Sequence, residues 1–326
     1  MQISIYKKRI RSTIATCTFL AGLASLSANT IANEAQDPQP MPPMSEFFVS
    51  GSTTPMYVQH WRANTDAATK KGPVILIHGG SHTGVGWTTT PDGRPGWALS
   101  WIQKGWDVYV VDWPGVGRSG TYPKNVSDTP TQIIDTLDEL LKRVGPAALV
   151  GHSIGAALAI KLAERTPASI RALALMAPAS VESIGKVVPP TPVDRLSGTT
   201  REGAHERFAN ALKFPKNSFE AYFSSLVLYG PKIRNAAIGI TDELKVDRTK
   251  TILWNKSIPV LMLAGEDDRT VPLSRMNETA KAMSVPLTQL GRDWKLPGHG
   301  HLFIVESDTE LISNRVEQWL SKATDH

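Results

Sequence analysis

Apolar runs of strand length alternate with amphipathic helical segments along most of the chain, and this order constrains the fold more than any other feature. The runs are almost continuously hydrophobic, so both faces of each strand must be buried. The clearest strands are predicted at residues 73–78, 107–112, 147–150, 171–176 and 259–264, and helical patterns cover 131–144, 154–165 and 307–323. This alternation predicts an α/β fold with a mostly parallel sheet flanked by helices.

Weaker signals complete the expected sheet. Residues 47–50 and 56–61 fit antiparallel strands at one edge, and residues 287–295 fit a last strand. Residues 181–254 lack a good strand but contain the helical patches HERFANALKF and SFEAYFSSLVLY. A structureless loop of that length is uncommon in a compact domain. We therefore expect a mainly helical cap inserted at about 181–254, with a simple surface insertion as the alternative.

The first 32 residues have the pattern of a secretory signal peptide. Basic residues between positions 7 and 11 precede an apolar stretch over about 14–26, and Thr30-Ile31-Ala32 fits a cleavage site. The apolar stretch is shorter than the roughly 20 residues that a spanning helix needs. We expect a secreted or periplasmic protein without a stable membrane anchor, a Pro-rich linker at 33–45 and one domain at 46–326. A retained anchor is the alternative.

Charge and cysteine content narrow the possible partners. Removal of residues 1–32 takes away four positive charges and no acidic residue, so the formal net charge of +5 falls to +1. The only cysteine, Cys17, is removed as well. A nearly neutral chain gives no reason to expect a nucleic-acid partner. Without cysteine it also has no disulfide and no cysteine-based metal site.

Residues 147–164 run from a buried strand through Gly-His-Ser-Ile-Gly into a small-residue helix. A strand that turns at once into a helix needs a tight bend, which glycine permits. The bend lifts the hydroxyl of Ser153 out of the sheet and aims a helix N-terminus at it. The alternative is a small packing residue, because the five-letter pattern also arises by chance. Its setting favours Ser153 as a nucleophile.

A nucleophilic serine requires a base, and the base requires an acid that fixes its tautomer. His299 and His301 share a Gly-rich loop before the C-terminal helix, and either could reach the sheet edge. The acid is expected at 264–272, directly after a buried strand, where three acidic residues are adjacent. The order serine, acid, histidine is the order in an α/β-hydrolase.

The turn IHGGS after the strand at 73–78 supplies candidate donors for a developing oxyanion. We expect the N–H groups of Gly80 and Ile154 to form this oxyanion hole, with Ser81 as an alternative to Gly80. A tight turn without a catalytic role is the other explanation. Ser81, His82 and Trp87 are candidate substrate-pocket residues, although core packing is the better-supported role for the tryptophan.

The chain resembles the α/β-hydrolase superfamily over most of residues 45–324. The resemblance rests on HGG at 78–80, DWPGVGRSG at 112–120, GHSIG at 151–155, GEDDRTVP at 265–272 and GHLFIVE at 300–306. It implies that Asp268, the fourth residue of G-x-x-D-x-x-V-P, is the acid. It likewise implies His301 as the base and leaves His299 as a supporting loop residue.

The chain is also similar to a small group of bacterial serine esterases that share TGxxWxTTPDGRxGW, matched here at 83–97. This resemblance implies a loop beside the oxyanion hole. Some members have paired cysteines where this chain has Gly80 and Ser81, and take their acid from the end of the sixth strand. The matching residues 176–179 contain no acid. Asp268 therefore comes first, with Glu182 and Glu266 as weaker candidates.

Together these features predict a serine esterase that cleaves a small-molecule carboxylic ester through an acyl-enzyme intermediate. Ser153 would attack, His301 would transfer protons and Asp268 would orient the histidine, without a metal or an organic cofactor. The same triad could act on lactones, amides or C–C bonds, or in perhydrolysis, because a fold does not determine a reaction. A non-catalytic binding protein on this fold is the alternative from another class.

Overall fold

An eight-stranded sheet organises the computed structural model, which describes residues 43–63, 70–179, 189–254 and 256–325. These residues fall in one unit, Pro42–His326. The expected signal peptide at 1–32, nearly all of the linker at 33–45 and the acid candidate Glu182 lie outside the described residues.

The sheet has the order β1-β2-β4-β3-β5-β6-β7-β8. The β1–β2 and β2–β4 pairs are antiparallel, and every other neighbouring pair is parallel. The predicted α/β class with a mostly parallel sheet flanked by helices is confirmed. The strands are β1 (Met44–Val49), β2 (Met56–Trp61), β3 (Gly72–Ile77), β4 (Trp106–Asp112), β5 (Ala147–His152), β6 (Ile170–Met176), β7 (Val260–Ala264) and β8 (Leu287–Gln289).

Helices follow most of the parallel strands. Short 3₁₀ turns occur at Gly117–Ser119, Pro167–Ser169, Lys216–Ser218 and Asp242–Leu244. None of the helices in the described ranges is long and apolar enough to cross a bilayer. The α-helices are α1 (Val85–Thr88), α2 (Trp97–Gln103), α3 (Pro130–Val144), α4 (Ile154–Arg165), α5 (Arg201–Arg207), α6 (Phe219–Ser224), α7 (Pro231–Ala237), α8 (Arg248–Trp254), α9 (Leu273–Met283), α10 (Leu290–Trp294) and α11 (Thr309–Thr324).

Local sequence explains the start and end of α3. The Thr129 side chain accepts a hydrogen bond from the Gln132 N–H, and the Gln132 side chain accepts one from the Thr129 N–H. This capping box satisfies two donors that the first turn would otherwise leave free. Pro130 occupies the first helical position, where no N–H is required, and Gly145 ends the helix with φ 84°.

A row of tryptophans on α2 and β4 contacts the C-terminal helix α11. The buried indole N–H groups of Trp97, Trp101 and Trp106 donate to Thr309, Ser313 and Glu317 at 2.8, 2.9 and 2.9 Å. Three acceptors at spacings of four residues lie on one face of the helix. The rings therefore bury large apolar surfaces without leaving a donor unsatisfied.

The strand expected at 287–295 is wrong beyond Gln289, where β8 ends and α10 begins. The Glu266 carboxylate accepts hydrogen bonds from the N–H groups of Gly291 and Arg292, and Asp293 accepts one from the Gln289 N–H. These carboxylates satisfy the free donors of a helical first turn, which favours a helix over a longer edge strand.

Four short helices, α5 to α8, lie between β6 and β7 in the described residues 189–254. The helical patch at 205–214 is wrong in extent, because α5 ends at Arg207 and irregular structure leads to Pro215. The patch at 218–229 forms α6 only as far as Ser224, where the Ser225 hydroxyl donates to the Tyr222 carbonyl. Side-chain competition for backbone groups favours helix ends at such residues.

Candidate active site

Ser153 occupies the turn between β5 and α4, with φ 55° and ψ −117°. This conformation is uncommon for a residue with a side chain, so surrounding contacts must hold it. The Ser153 N–H donates to the Met176 carbonyl at 2.9 Å, and the Ser153 carbonyl accepts from the Ala179 N–H at 3.0 Å. The end of β6 therefore fixes the turn, and the serine remains 6% exposed.

Two glycines allow the backbones around Ser153 to approach one another. A Cβ atom on Gly151 would lie 2.4 Å from the Gly155 carbonyl oxygen, and one on Gly155 would lie 2.4 Å from the carbonyl oxygens of Ile77 and His78. Such distances are well inside van der Waals contact. The glycines therefore allow the Ser153 turn to pack directly against the end of β3.

The predicted acid and base are hydrogen-bonded to each other. His301 Nδ1 lies 2.7 Å from Asp268 Oδ2, and both side chains are buried. The other oxygen, Asp268 Oδ1, accepts from the N–H groups of Thr270 and Val271 at 2.7 and 2.8 Å. An ionised carboxylate only accepts, so Nδ1 carries the hydrogen and His301 Nε2 is the nitrogen that can accept a proton.

The neighbouring His299 supports the loop that carries His301. His299 Nδ1 lies 2.8 Å from Glu306 Oε2, and the same oxygen accepts from the Gly300 N–H at 3.1 Å. Burial raises the pKa of Glu306, against the opposing effect of its hydrogen bond with His299. A Cβ on Gly265 would lie 2.4 Å from the Gly300 carbonyl oxygen. Glycine at that position therefore lets the acid and base loops touch.

His152 connects the Ser153 turn to the loop that carries His301. Its Nε2 donates to the His301 carbonyl at 2.8 Å, and the two rings have centroids 4.8 Å apart. Burial lowers the pKa of His152 well below its usual value, and repulsion from His301 adds to the effect. No local pattern in the sequence indicates this contact, because the two residues lie 149 positions apart.

Ser153 and His301 are brought to the same region without direct pairing. In the described part of the chain, the Ser153 hydroxyl makes no hydrogen bond to the His301 ring. Phe208, which lines the cavity beside the serine, stacks on the His301 ring with centroids 5.8 Å apart. Hydrogen bonds between catalytic groups are commonly long in unliganded hydrolases and tighten in the substrate complex.

Gly80 and Ile154 also come together, on one wall of the cavity beside Ser153. A Cβ on Gly80 would lie 2.8 Å from Ile154 Cδ1. The Ile154 N–H belongs to the first residue of α4 and has no partner within the helix. Among the described residues, no acceptor pairs with the Gly80 N–H. Both groups are available to a ligand oxygen.

Two cavities lie beside the Ser153 turn, and each is lined by some of the predicted pocket residues. Ser81 and Ser153 line a cavity of about 320 Å³. His82 and Trp87 line another of about 240 Å³, which His152 also borders. Burial lowers the pKa of His82 to about 4, so the ring is neutral near pH 7. Its nitrogens contact the Gly80 carbonyl at 2.7 Å and the Tyr222 hydroxyl at 3.0 Å.

The loop at 83–97 borders the second cavity through several residues between Thr83 and Pro91. Arg94 Nη2 donates to the carbonyls of Val305 and Glu306 at 3.2 and 3.3 Å, which ties the loop to the segment after His301. The described ranges contain no group of three or more His, Cys, Asp or Glu side chains that could hold a metal ion.

The curated relatives of this chain include a lipase and an esterase, each matched over less than two thirds of its own length. The "Probable secreted lipase phiG" of a fungal species (strain ATCC 74256) is 41% identical over 81 residues, which are 24% of this chain and 22% of that protein. The "Putative esterase/lipase 2" of Mycoplasma genitalium is 26% identical over 181 residues, 52% of this chain and 64% of that protein. The chain thus spans less than two thirds of either relative.

A match to a solved structure and a match to a family model each cover a larger share of the chain. The crystal structure of a putative lipase (lip1) from Acinetobacter baumannii AYE matches with a TM-score of 0.60 at 15% identity, covering 86% of this chain and 92% of that one. At that identity the likeness concerns the fold alone. The model of the alpha/beta hydrolase family matches residues 74–314. The chain therefore belongs to the alpha/beta hydrolase family.

Proposed function

We propose that the protein is a serine esterase that hydrolyses carboxylic esters through an acyl-enzyme intermediate. The observation that carries the proposal is the buried Asp268–His301 hydrogen bond, which is linked to the Ser153 turn because His152 donates to the His301 carbonyl. A carboxylate on Nδ1 makes Nε2 basic and supports the imidazolium that forms during proton transfer. The similarity to lipases and esterases favours esters over amides, lactones and C–C bonds as the substrate class.

In the acylation step, the Ser153 hydroxyl oxygen attacks the ester carbonyl while His301 Nε2 accepts its proton. The carbonyl oxygen becomes negative and accepts hydrogen bonds from the N–H groups of Gly80 and Ile154. Removal of one such donor in a serine hydrolase typically costs about 10²–10³ in kcat. The tetrahedral intermediate then expels the alcohol, which receives the proton from His301, and the acyl group remains on the serine.

Deacylation repeats the sequence with water. His301 Nε2 takes a proton from a water molecule, whose oxygen attacks the acyl carbonyl. Collapse of the second intermediate releases the carboxylic acid and returns the proton to Ser153. Asp268 accepts hydrogen bonds from three N–H donors, which hold its carboxylate against the His301 ring. Its role is to fix the ring orientation and to stabilise its positive charge.

Three further proposals concern export, membership of an esterase group and the cap region. The pattern at 1–32 supports export with cleavage and a secreted or periplasmic enzyme. The motif at 83–97 supports a place among the bacterial esterases that share it. The short helices in 189–254 support the interpretation of the region at about 181–254 as a cap over the site.

A panel of esters graded in acyl and alcohol size, extended by a matched lactone and a matched amide, tests the proposal. We expect the purified protein to hydrolyse at least one ester, Ser153→Ala to lose that activity and Ser100→Ala, on α2, to keep it. Faster turnover of the lactone or amide would favour the corresponding alternative. Failure on the whole panel would contradict the esterase assignment.

A further inference from the structure

Four arginines line the cavity of about 320 Å³ that contains Ser153. They come from separate elements: Arg207 ends α5, Arg234 lies on α7, Arg269 follows β7 and Arg275 lies on α9. No acidic side chain is among the described residues that line this cavity. The remaining polar lining is neutral and includes Ser197, Thr199 and Thr270.

Among the described residues, no carboxylate pairs with these arginines. None of the four forms an ion pair within the described part of the chain. Arg207 Nη2 instead donates to the Thr199 hydroxyl at 3.0 Å, and Arg234 Nη1 donates to the Pro189 carbonyl at 2.7 Å. Both contacts use neutral acceptors. Arg207 and Arg269 are exposed, whereas Arg234 and Arg275 are partly buried.

Arg275 provides the most direct sign of a missing partner. Its Nη2 atom is buried and has no acceptor. A buried N–H donor without a partner is costly, and more so when it belongs to a charged group. An anionic oxygen in the cavity would satisfy it. Burial raises the pKa of Tyr229, another lining residue, while its hydrogen bond with Ser197 and the charges of Arg234 and Arg207 oppose the rise.

The cavity of about 240 Å³ has a different lining. Its described lining contains no Asp, Glu, Lys or Arg side chain, and it is bordered by apolar groups such as Trp87, Leu302 and Ile304. The Ser153 turn therefore has a cationic cavity on one side and a largely apolar one on the other. An ester that occupies both would carry a charged group at one end and an uncharged group at the other.

We propose that the arginine-lined cavity binds an anionic group of the substrate, so that the preferred esters carry a carboxylate at a distance from the scissile bond. The inference rests on the proposed esterase function and specifies its substrate class. Guanidinium groups match carboxylates in charge and geometry, because two parallel N–H donors can engage both oxygens. The anionic group can belong to the acid or to the alcohol part of the ester.

Matched ester pairs test this specificity. Monoethyl adipate against ethyl hexanoate places the charge on the acyl side, and 4-acetoxybutanoate against butyl acetate places it on the alcohol side. With a pH-stat, we expect kcat/KM at least tenfold higher for the anionic member of one pair, mainly through a lower KM, and a smaller ratio at high salt. Hydrolysis of all four esters without an anionic preference would overturn the inference and leave the esterase function intact.

Variants separate a binding role from a structural one. Arg275→Gln and Arg269→Gln should lower the ratio of kcat/KM for the anionic ester to that for the neutral ester about tenfold or more, mainly through a higher KM for the anionic ester, and Arg275→Lys should restore part of the ratio. Arg292→Gln is the control, because Arg292 lies on α10 and pairs with Asp293 at 2.7 Å. An equal loss on the charged and the neutral ester would overturn the inference in favour of a structural role.

Calorimetry on Ser153→Ala measures binding without turnover. We expect monoethyl adipate to bind at least tenfold more tightly than ethyl hexanoate, and Arg275→Gln in the same background to remove the difference. Equal binding of the two esters would overturn the proposed anion site. This readout remains informative even if the wild-type protein hydrolyses neither ester, which would be a failure of the proposed function alone.

Discussion

The Nδ1 atom of His301 lies 2.7 Å from Oδ2 of Asp268, across the contact between the base loop and the acid loop. Glu266, two positions earlier in the chain, instead accepts N–H donors from Gly291 and Arg292 at the start of α10. Neighbouring acids thus serve different parts of the molecule. This difference makes them a matched pair for assigning the catalytic carboxylate.

Asp268→Asn should lower kcat on the order of 10⁴-fold, because an amide favours the wrong tautomer of His301 and cannot support its positive charge. Glu266→Gln should change kcat little, since its oxygens contact a helix start rather than the base. Steady-state kinetics on the best ester of the panel measure both. Near-normal turnover by Asp268→Asn, with loss in Glu266→Gln, would reverse the assignment.

His152 is expected to act as a positioning residue for the base. His152→Leu removes the donor to the His301 carbonyl, and we expect kcat to fall about 10- to 100-fold with little change in KM, because small displacements of a catalytic group are costly. His152→Gln retains a donor and should recover part of the loss. Equal, near-normal kcat in both variants would assign the residue to packing alone.

Gly155→Ala should destabilise the fold by at least about 2 kcal/mol, because the new Cβ would overlap backbone oxygens of β3 and its following turn. Gly86→Ala is the matched control, since its Cβ would meet nothing closer than Val305 Cγ1 at 3.9 Å. Urea unfolding of both variants measures the difference. Equal stability of Gly155→Ala and wild type would mean that strand and helix do not approach as closely as described.

Stability should fall as the pH drops from about 6.5 towards 4. Burial lowers the pKa of His78 and His82 to about 4 and that of His152 well below its usual value. The unfolded chain takes up protons on these residues near pH 6.5 while the folded chain does not. Unfolding therefore binds up to about three extra protons in this window, and the stabilisation is fully present above it.

Urea midpoints at pH 7.5, 6.0 and 5.0 measure this dependence. The slope of the unfolding free energy against pH gives the number of protons bound on unfolding. His152→Gln should reduce that number by about one, which provides an internal control. A midpoint that stays constant from pH 7.5 to pH 5.0 would show that these histidines are not held neutral in the folded protein.

The sheet could be predicted from the sequence because its determinants are local. Uninterrupted apolar runs marked β3 to β7, and the bounds of α4 matched the predicted 154–165. The last strand could not be predicted in full, because Glu266, more than twenty residues earlier, caps the helix that replaces it. Local pattern decides where apolar strands lie, whereas distant carboxylates decide where β8 ends.

In the candidate site as well, local motifs predicted some features and contacts between distant residues determine the others. Motifs pointed to Ser153, Asp268 and His301, and the structure brings the latter two into hydrogen-bond contact. The link between His152 and the His301 carbonyl joins residues 149 positions apart, and the arginine-lined cavity collects side chains from four separate elements. No spacing rule connects such residues, so both features become visible only when the chain is folded.

Covalent labelling with a fluorophosphonate, read by intact mass and peptide mapping, tests the central claim that Ser153 is the nucleophile. The account predicts one adduct per chain on the peptide that contains Ser153, loss of ester hydrolysis in proportion to labelling, and no adduct on Ser153→Ala. An adduct on another residue that abolishes activity, or wild-type hydrolysis by Ser153→Ala, would contradict it.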